Sequence, residues 1–275
     1  MAAIDWSETP QTPLVVGGVQ LEYACYGPGP DAAPTIVMLH EGLGCAALWR
    51  DFPRRVAERT GMGVFVYSRQ GYGRSDPVKL PRPLDFMTRE AVDVLPPLLD
   101  AIGFRRGILL GHSDGATIAA IHGGSIEDHR VRGLILMAPH FFTEPMGLAE
   151  IERAREIFAT TDLKQKMAKY HSDPEGAFRG WNDVWLAAGF EAWNVADVID
   201  YIRVPVLAIQ GRDDQYGTLA QIEEIETRSY APVDVAILDD CRHAPYLEQP
   251  EAVLDAVAEF CARLMRIEAA EVTPA

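Results

Sequence analysis

The chain predicts an α/β fold, a mainly parallel sheet covered by helices on both faces, and three observations lead there. Short apolar runs alternate with helix-length segments, the order that parallel strands joined by crossover helices require. Leu109 and Leu110 run directly into Gly111-His112-Ser113-Asp114-Gly115, and Ala116 to Ala120 continue as a small-residue helical run. Between Pro139 and Val204 the alternation stops and the pattern is helical throughout.

Taken in order, Leu14 to Val16 and Leu21 to Tyr26 predict a β-hairpin around Gly17-Gly18, and Thr35 to Leu39 predicts the next strand. Residues 48–60 have a helical pattern, and Val64 to Tyr67 reads as a buried strand. Residues 88–102 are amphipathic and tolerate Pro96-Pro97 only as a kink or a break. Ile108 to Leu110, Leu134 to Met137, Val206 to Ile209 and Val233 to Leu238 complete an eight-stranded, mostly parallel sheet flanked by helices, including 218–229 and 251–267. The tail Glu268 to Ala275 is expected to fray. Phe178, Trp181, Trp185, Phe190 and Trp193 sit in the helical stretch, which reads as a cap inserted after the sixth strand. The expected division is a core of residues 1–139 and 204–275 and a helical cap of residues 140–203.

Composition narrows the function. With 275 residues, 48% of them hydrophobic, the chain can bury one large α/β core with an insertion. Forty acidic residues against 25 basic ones, with no basic run, argue against nucleic acid and anionic membranes as partners. Cys25, Cys45, Cys241 and Cys261 show neither C-x-x-C spacing nor a grouping with histidine, so reduced thiols are expected and no metal or cofactor is implied. Asp5 and Glu8 interrupt residues 1–13, which argues against a signal peptide, and no apolar run approaches membrane-spanning length. A cytoplasmic protein acting on a small molecule is expected. Its oligomeric state is open, a homodimer included.

The chemistry lies at strand ends. Glycines flanking Ser113 allow a tight strand-to-helix turn that lifts its hydroxyl onto a helix N-terminus, which makes it a nucleophile candidate. Asp213 and Asp214 follow the strand Val206 to Ile209, and His243 follows Val233 to Leu238. His243 would take the serine proton while one of the two aspartates orients the imidazole; both remain open, with Asp214 preferred. Two backbone N–H groups are needed for an oxyanion: Asp114, just after the nucleophile, and Gly42 in the loop His40 to Gly44. Glu41 is the unusual member of that loop, and a salt link to a nearby arginine is favoured over contact with water or substrate. Gly71-Tyr72-Gly73 is not a dinucleotide site, because Asp76 and Pro77 stand where a third glycine and a helix are required. It reads as a structural turn, with Arg69 and Gln70 beside the pocket. The pocket candidates are Glu41, Leu43, Arg69, His140, Trp181 and Trp185. Packing is favoured over substrate contact for His140, His171 and the tryptophans.

The segments HEGLG at 40–44, SRQGYGRSDP at 68–77, GHSDG at 111–115, GRDDQYG at 211–217 and RHAPYLEQPE at 242–251 resemble those of the α/β-hydrolase superfamily. The resemblance covers about residues 14 to 267 and is closest to capped esterases, lactonases, haloperoxidase-like proteins and C–C bond hydrolases. It implies the order serine, acid, histidine, which carries over onto Ser113, Asp214 and His243. Glu41 stands where the family's loop has glycine, with Gly42 at the position of the second backbone donor. The implied activity is hydrolysis of a carboxylic ester or lactone through an acyl-enzyme. The alternatives are a C–C bond hydrolase acting on a vinylogous diketone and a catalytically silent binding domain.

Overall fold

Along the central strands, neighbouring residues belong to opposite faces. The computed structural model describes residues 4–271. In β4 (Thr35–Leu39), Ile36 and Met38 enter one core while Val37 and Leu39 enter the other. The same alternation holds in β5 (Gly63–Tyr67) and β6 (Gly107–His112), whose residues are all buried. An uninterrupted apolar run is therefore a strand covered on both sides. The first chain segments are β1 (Leu14–Val16), β2 (Val19–Leu21) and β3 (Tyr23–Tyr26). After the central strands come β7 (Val131–Met137), β8 (Val206–Gly211) and β9 (Val233–Leu238).

The main sheet has seven strands in the order β3-β5-β4-β6-β7-β8-β9, all parallel except β3 against β5. The expected count of eight is corrected because β1 and β2 form a separate two-stranded sheet. The stretch Leu21 to Tyr26, expected as one strand, divides at Glu22. There the main chain bonds instead to the 68–75 turn, Ser68 N–H to Glu22 C=O at 2.9 Å and Glu22 N–H to Ser75 Oγ at 2.9 Å. Apolar alternation continues through such a change of partner and does not reveal it.

One face is covered by α1 (Phe52–Thr60) and, later in the chain, by the long helix over Pro250–Glu271. On the other face, α2 (Phe86–Arg89) continues through a π-helical turn at Glu90–Val94 into α3 (Leu95–Ala101). That turn falls just before Pro96-Pro97, where two N–H donors are missing and regular helix bonding has to be rearranged. Beside it lies α4 (Asp114–Ser125), buried along most of its length.

The insertion leaves the sheet after Val131–Met137, as the sequence implies. That strand is the seventh in the chain and the fifth of the main sheet, which corrects the expected sixth. It contains α5 (Pro145–Thr160), α6 (Leu163–Met167) and α7 (Pro174–Trp185), followed by 3₁₀ turns at Phe190–Ala192 and Ala196–Tyr201. Then come α8 (Ala220–Arg228), α9 (Pro245–Glu248) and α10 (Pro250–Glu271). The last helix extends past the expected fraying point at Glu268; residues 272–275 of that tail lie outside the described residues. None of the described helices is long and apolar enough to cross a membrane.

The chain moves outward from β4 to β5, then crosses back to β6 on the other side of β4. The loops after β4 and β6 therefore diverge and open a crevice at the carboxyl ends of the strands, where open α/β sheets bind ligands. Main chains approach closely there. A Cβ on Gly115 would lie 2.1 Å from the Leu39 carbonyl oxygen, and one on Gly111 would lie 2.2 Å from the Gly115 carbonyl oxygen. Alanine in a helix is favoured over glycine by about 1 kcal/mol, but overlap with rigid backbone outweighs that gain. Gly115→Ala is expected to lower the unfolding free energy by about 1–3 kcal/mol in urea titrations; unchanged or raised stability would contradict the close approach.

Candidate active site

Ser113 caps the N-terminus of α4 with φ 53° and ψ −121°, outside the usual regions for an L-residue. Such a residue costs about 1–3 kcal/mol and persists only when its surroundings hold it. Ser113 N–H donates to Met137 C=O at 2.9 Å, while Ser113 C=O accepts from Ala116 N–H at 2.9 Å and Thr117 N–H at 3.0 Å. The elbow is thus tied to both the neighbouring strand and its own helix.

His243 Nε2 lies 2.9 Å from Ser113 Oγ, and His243 Nδ1 lies 2.9 and 2.8 Å from the two Asp214 oxygens. This Ser-His-Asp arrangement resolves the choice between Asp213 and Asp214: Asp213 is exposed and Asp214 is buried. Asp214 also accepts from Gln210 Nε2 at 2.9 Å and from Tyr216 N–H at 2.8 Å. Burial pushes its pKa up, but the His243 charge and the hydrogen bonds from His243 and Tyr216 outweigh burial and hold it below the ordinary carboxylate range. His112, inside the elbow, places Nε2 2.6 Å from the His243 main-chain carbonyl and thereby pins the loop that carries the base.

The loop after β4 packs under the insertion. A Cβ on Gly42 would lie 2.1 Å from Trp181 Cδ1, so α7 leaves room only for glycine there. Glu41 does not form the expected salt link. Its carboxylate accepts the Leu43 N–H, while Arg69 Nη2 reaches the Glu41 main-chain carbonyl at 3.1 Å. Burial pushes the Glu41 pKa up despite the Leu43 bond. Asp114 is fully buried and accepts Trp185 Nε1–H at 3.2 Å; burial raises its pKa as well, against Arg69, Arg82 and that bond.

Ser113 and His243 open into a cavity of about 370 Å³. Of the sequence candidates, Glu41, Gly42, Leu43, His140, Trp181 and Trp185 line it. Arg69 does not. It is 1% exposed and lies behind the Glu41 peptide, which corrects its assignment as a pocket residue. His171 takes the packing role: Gly73 N–H donates to its Nδ1 at 2.9 Å and its Nε2 donates to Leu43 C=O at 3.1 Å. Trp193 stacks on Phe190 at 5.3 Å between ring centres and stays out of the cavity.

Sequence reading missed Glu144 and the α5 wall behind it, with Leu148 and Ile151, and also Tyr216, Tyr246 and Leu247. Tyr216, whose ring centre is 4.7 Å from that of His243, had a readable signal in the GRDDQYG segment. The α5 residues had none, because nothing in their spacing says which helix faces the sheet.

The sequence pattern of the alpha/beta hydrolase family matches residues 36–256. The chain belongs to that family. It is 28% identical over 230 residues to a protein from Streptomyces lividans named non-heme chloroperoxidase, a match covering 72% of this chain and 80% of that one. The meta-cleavage product hydrolase from Pseudomonas fluorescens IP01 has a similar structure, with TM-score 0.72, 18% identity and coverage of 93% and 98% of the two chains. The enol-lactonase from Burkholderia xenovorans LB400 gives 0.68, 20%, 90% and 98% in the same terms. An esterase from Thermogutta terrifontis gives 0.67, 19%, 92% and 97%. At these identities the structural likeness concerns the fold.

Two more histidines line the cavity of this hydrolase and both are buried. Burial, followed by the His243 charge, lowers the pKa of His112 to about 3 and that of His140 to about 4. An unfolded histidine takes up its proton below pH 6.5, whereas native His112 stays neutral down to about 3. Its stabilising contribution is therefore complete above 6.5 and is lost as pH falls toward 3. In urea titrations from pH 6.5 to 4.5, wild type is expected to lose about 2 kcal/mol more in total than His112→Asn. Parallel pH profiles would contradict a neutral buried His112.

Proposed function

We propose that this serine hydrolase cleaves a carboxylic ester or lactone through an acyl-enzyme on Ser113. The observation that carries the reading is His243 Nε2 at 2.9 Å from Ser113 Oγ, backed by Asp214, at the floor of a cavity with tryptophan and aliphatic walls. His243 takes the hydroxyl proton as Ser113 Oγ attacks the carbonyl carbon, and Asp214 stabilises the imidazolium. The backbone N–H groups of Gly42 and Asp114 receive the oxyanion, each worth roughly 3–4 kcal/mol when aimed at it. His243 then protonates the leaving alkoxide, and a water that it deprotonates releases the acid. Residues 140–203 act as the cap, with α5 and α7 shaping the acyl pocket.

The charge of the wall bears on the substrate. Glu41, Glu144 and Glu248 line the cavity, whereas its one arginine, Arg242, stands 3.5 Å from Glu248. This supports a neutral acyl group. It weighs against the C–C hydrolase alternative, which needs cationic groups to bind a substrate carboxylate. A purely binding role leaves the aligned serine, histidine and aspartate without purpose.

Wild type is expected to hydrolyse chromogenic esters, with Ser113→Ala lowering kcat by about 10⁴-fold or more. An ester of a neutral acyl chain is expected to exceed its carboxylate-terminated isostere by about tenfold in kcat/KM, equivalent to ~1.4 kcal/mol. Absence of turnover across neutral esters and lactones, with cleavage of a vinylogous diketone, would replace this reading by the C–C one.

A further inference from the structure

The peptide joining Glu41 to Gly42 is gripped from behind. Its carbonyl accepts from Arg69 Nη2 at 3.1 Å and from His40 Nδ1 at 2.7 Å. The roles of the two imidazole nitrogens follow from a third bond. Arg69 main-chain N–H donates to His40 Nε2 at 3.0 Å, so Nε2 carries the lone pair and Nδ1 the proton. Burial, followed by the Arg69 charge, keeps that ring neutral. In a planar trans peptide the C=O and N–H point in opposite directions, so fixing the carbonyl fixes the aim of the Gly42 N–H.

The same Arg69 Nη2 stands 3.9 Å from Asp114 Oδ2. Asp114 is the residue that would supply the other oxyanion donor. Arg69 is 1% exposed and Asp114 0%, so water does not screen the pair. Arg69 Nη1 is buried without a hydrogen-bond partner among the described residues. One face of the guanidinium lies over the Tyr72 ring, 5.3 Å from its centre, while its hydrogen bond and its ion pair reach the two segments on either side of the Ser113 hydroxyl.

We propose that Arg69 is a positioning residue for the oxyanion pocket, one guanidinium nitrogen bridging the two loops whose backbone N–H groups receive the developing charge. This rests on the acyl-transfer reading above. Its action is geometric, in setting the separation and aim of the two donors, one through the Glu41 carbonyl and the other through the Asp114 carboxylate. It is also electronic, because donors on the Glu41 carbonyl polarise the peptide and strengthen its N–H as a donor. A guanidinium suits the task better than an ammonium, since its charge is permanent and its planar fork fixes the direction of each N–H.

Arg69→Met alone strands the Asp114 carboxylate in the interior and can unfold the chain, so the decisive variant is Arg69→Met combined with Asp114→Asn, neutral opposite neutral. The readout is the rate at which an alkyl fluorophosphonate labels Ser113. In that reaction Ser113 Oγ bonds to phosphorus, fluoride leaves, the proton passes to His243, and the phosphoryl oxygen occupies the oxyanion position. The double variant is expected to keep a melting temperature near that of wild type and to label roughly 10–100-fold more slowly. With a hydrolysed ester it loses kcat by a similar factor while KM changes little, and Arg69→Lys falls between the two. A folded double variant that labels at the wild-type rate overturns the role of Arg69 and leaves the serine hydrolase reading intact. Failure of wild type to label at all, under conditions where its fold is intact, removes both.

Discussion

The approach of α4 to the end of β4, with no side chain between them, is the constraint from which the site follows. Gly115 lies against Leu39 and His40 main chain, and Gly111 lies against Gly115. This contact places the first turn of α4 beside the loop that leaves β4, so a helix N-terminus with its partial positive charge faces the spot where the proposed oxyanion would form. The strained Ser113 backbone is the cost of the arrangement, about 1–3 kcal/mol. Three main-chain hydrogen bonds and a sheet buried on both faces hold it. A longer loop between β6 and α4 would relieve the strain and would also leave the hydroxyl without a fixed direction.

Much of this was legible in the sequence, for identifiable reasons. Ser113, His243 and the glycines around the elbow lie in short segments whose residue types are dictated by local geometry, so their pattern survives in one dimension. Asp214 needed the structure, because Asp213 and Asp214 differ only in which way the turn after β8 points them. The strand count failed at Glu22, where the main chain changes partners without interrupting the apolar alternation. Arg69 was read onto the pocket because it follows β5 at the correct end of the sheet. Sequence does not reveal that the guanidinium passes behind the Glu41 peptide. The expectation for Glu41 was a salt link to an unspecified arginine; instead Arg69 binds its carbonyl and its carboxylate takes the Leu43 N–H.

Environment separates the base from the other histidines of the cavity. His112, His140 and His243 lie close together, with ring centres 5.1 Å apart for His112 and His243 and 5.6 Å for His140 and His243. Only the His243 ring meets a carboxylate at hydrogen-bond distance, and only His243 reaches Ser113 Oγ. His112 is spent on a carbonyl and, like His140, is held neutral by burial. Two neutral rings beside a third that becomes cationic add no competing charge while the third takes and returns its proton.

The insertion is more than a lid, because one helix face touches both the loop after β4 and the start of α4. Trp181 and Trp185 are four residues apart on α7, so they project from the same side of the helix. Trp181 lies over Gly42, and Trp185 donates its indole N–H to Asp114. Both rings also form part of the cavity wall. If the Gly42 and Asp114 N–H groups receive the oxyanion as proposed, a substrate that displaces α7 disturbs both together, and one that fits beneath it leaves them aligned. On the proposed acyl-transfer reading, this pair of tryptophans couples acyl-group selection to oxyanion stabilisation, and the pocket would discriminate in kcat as well as in KM.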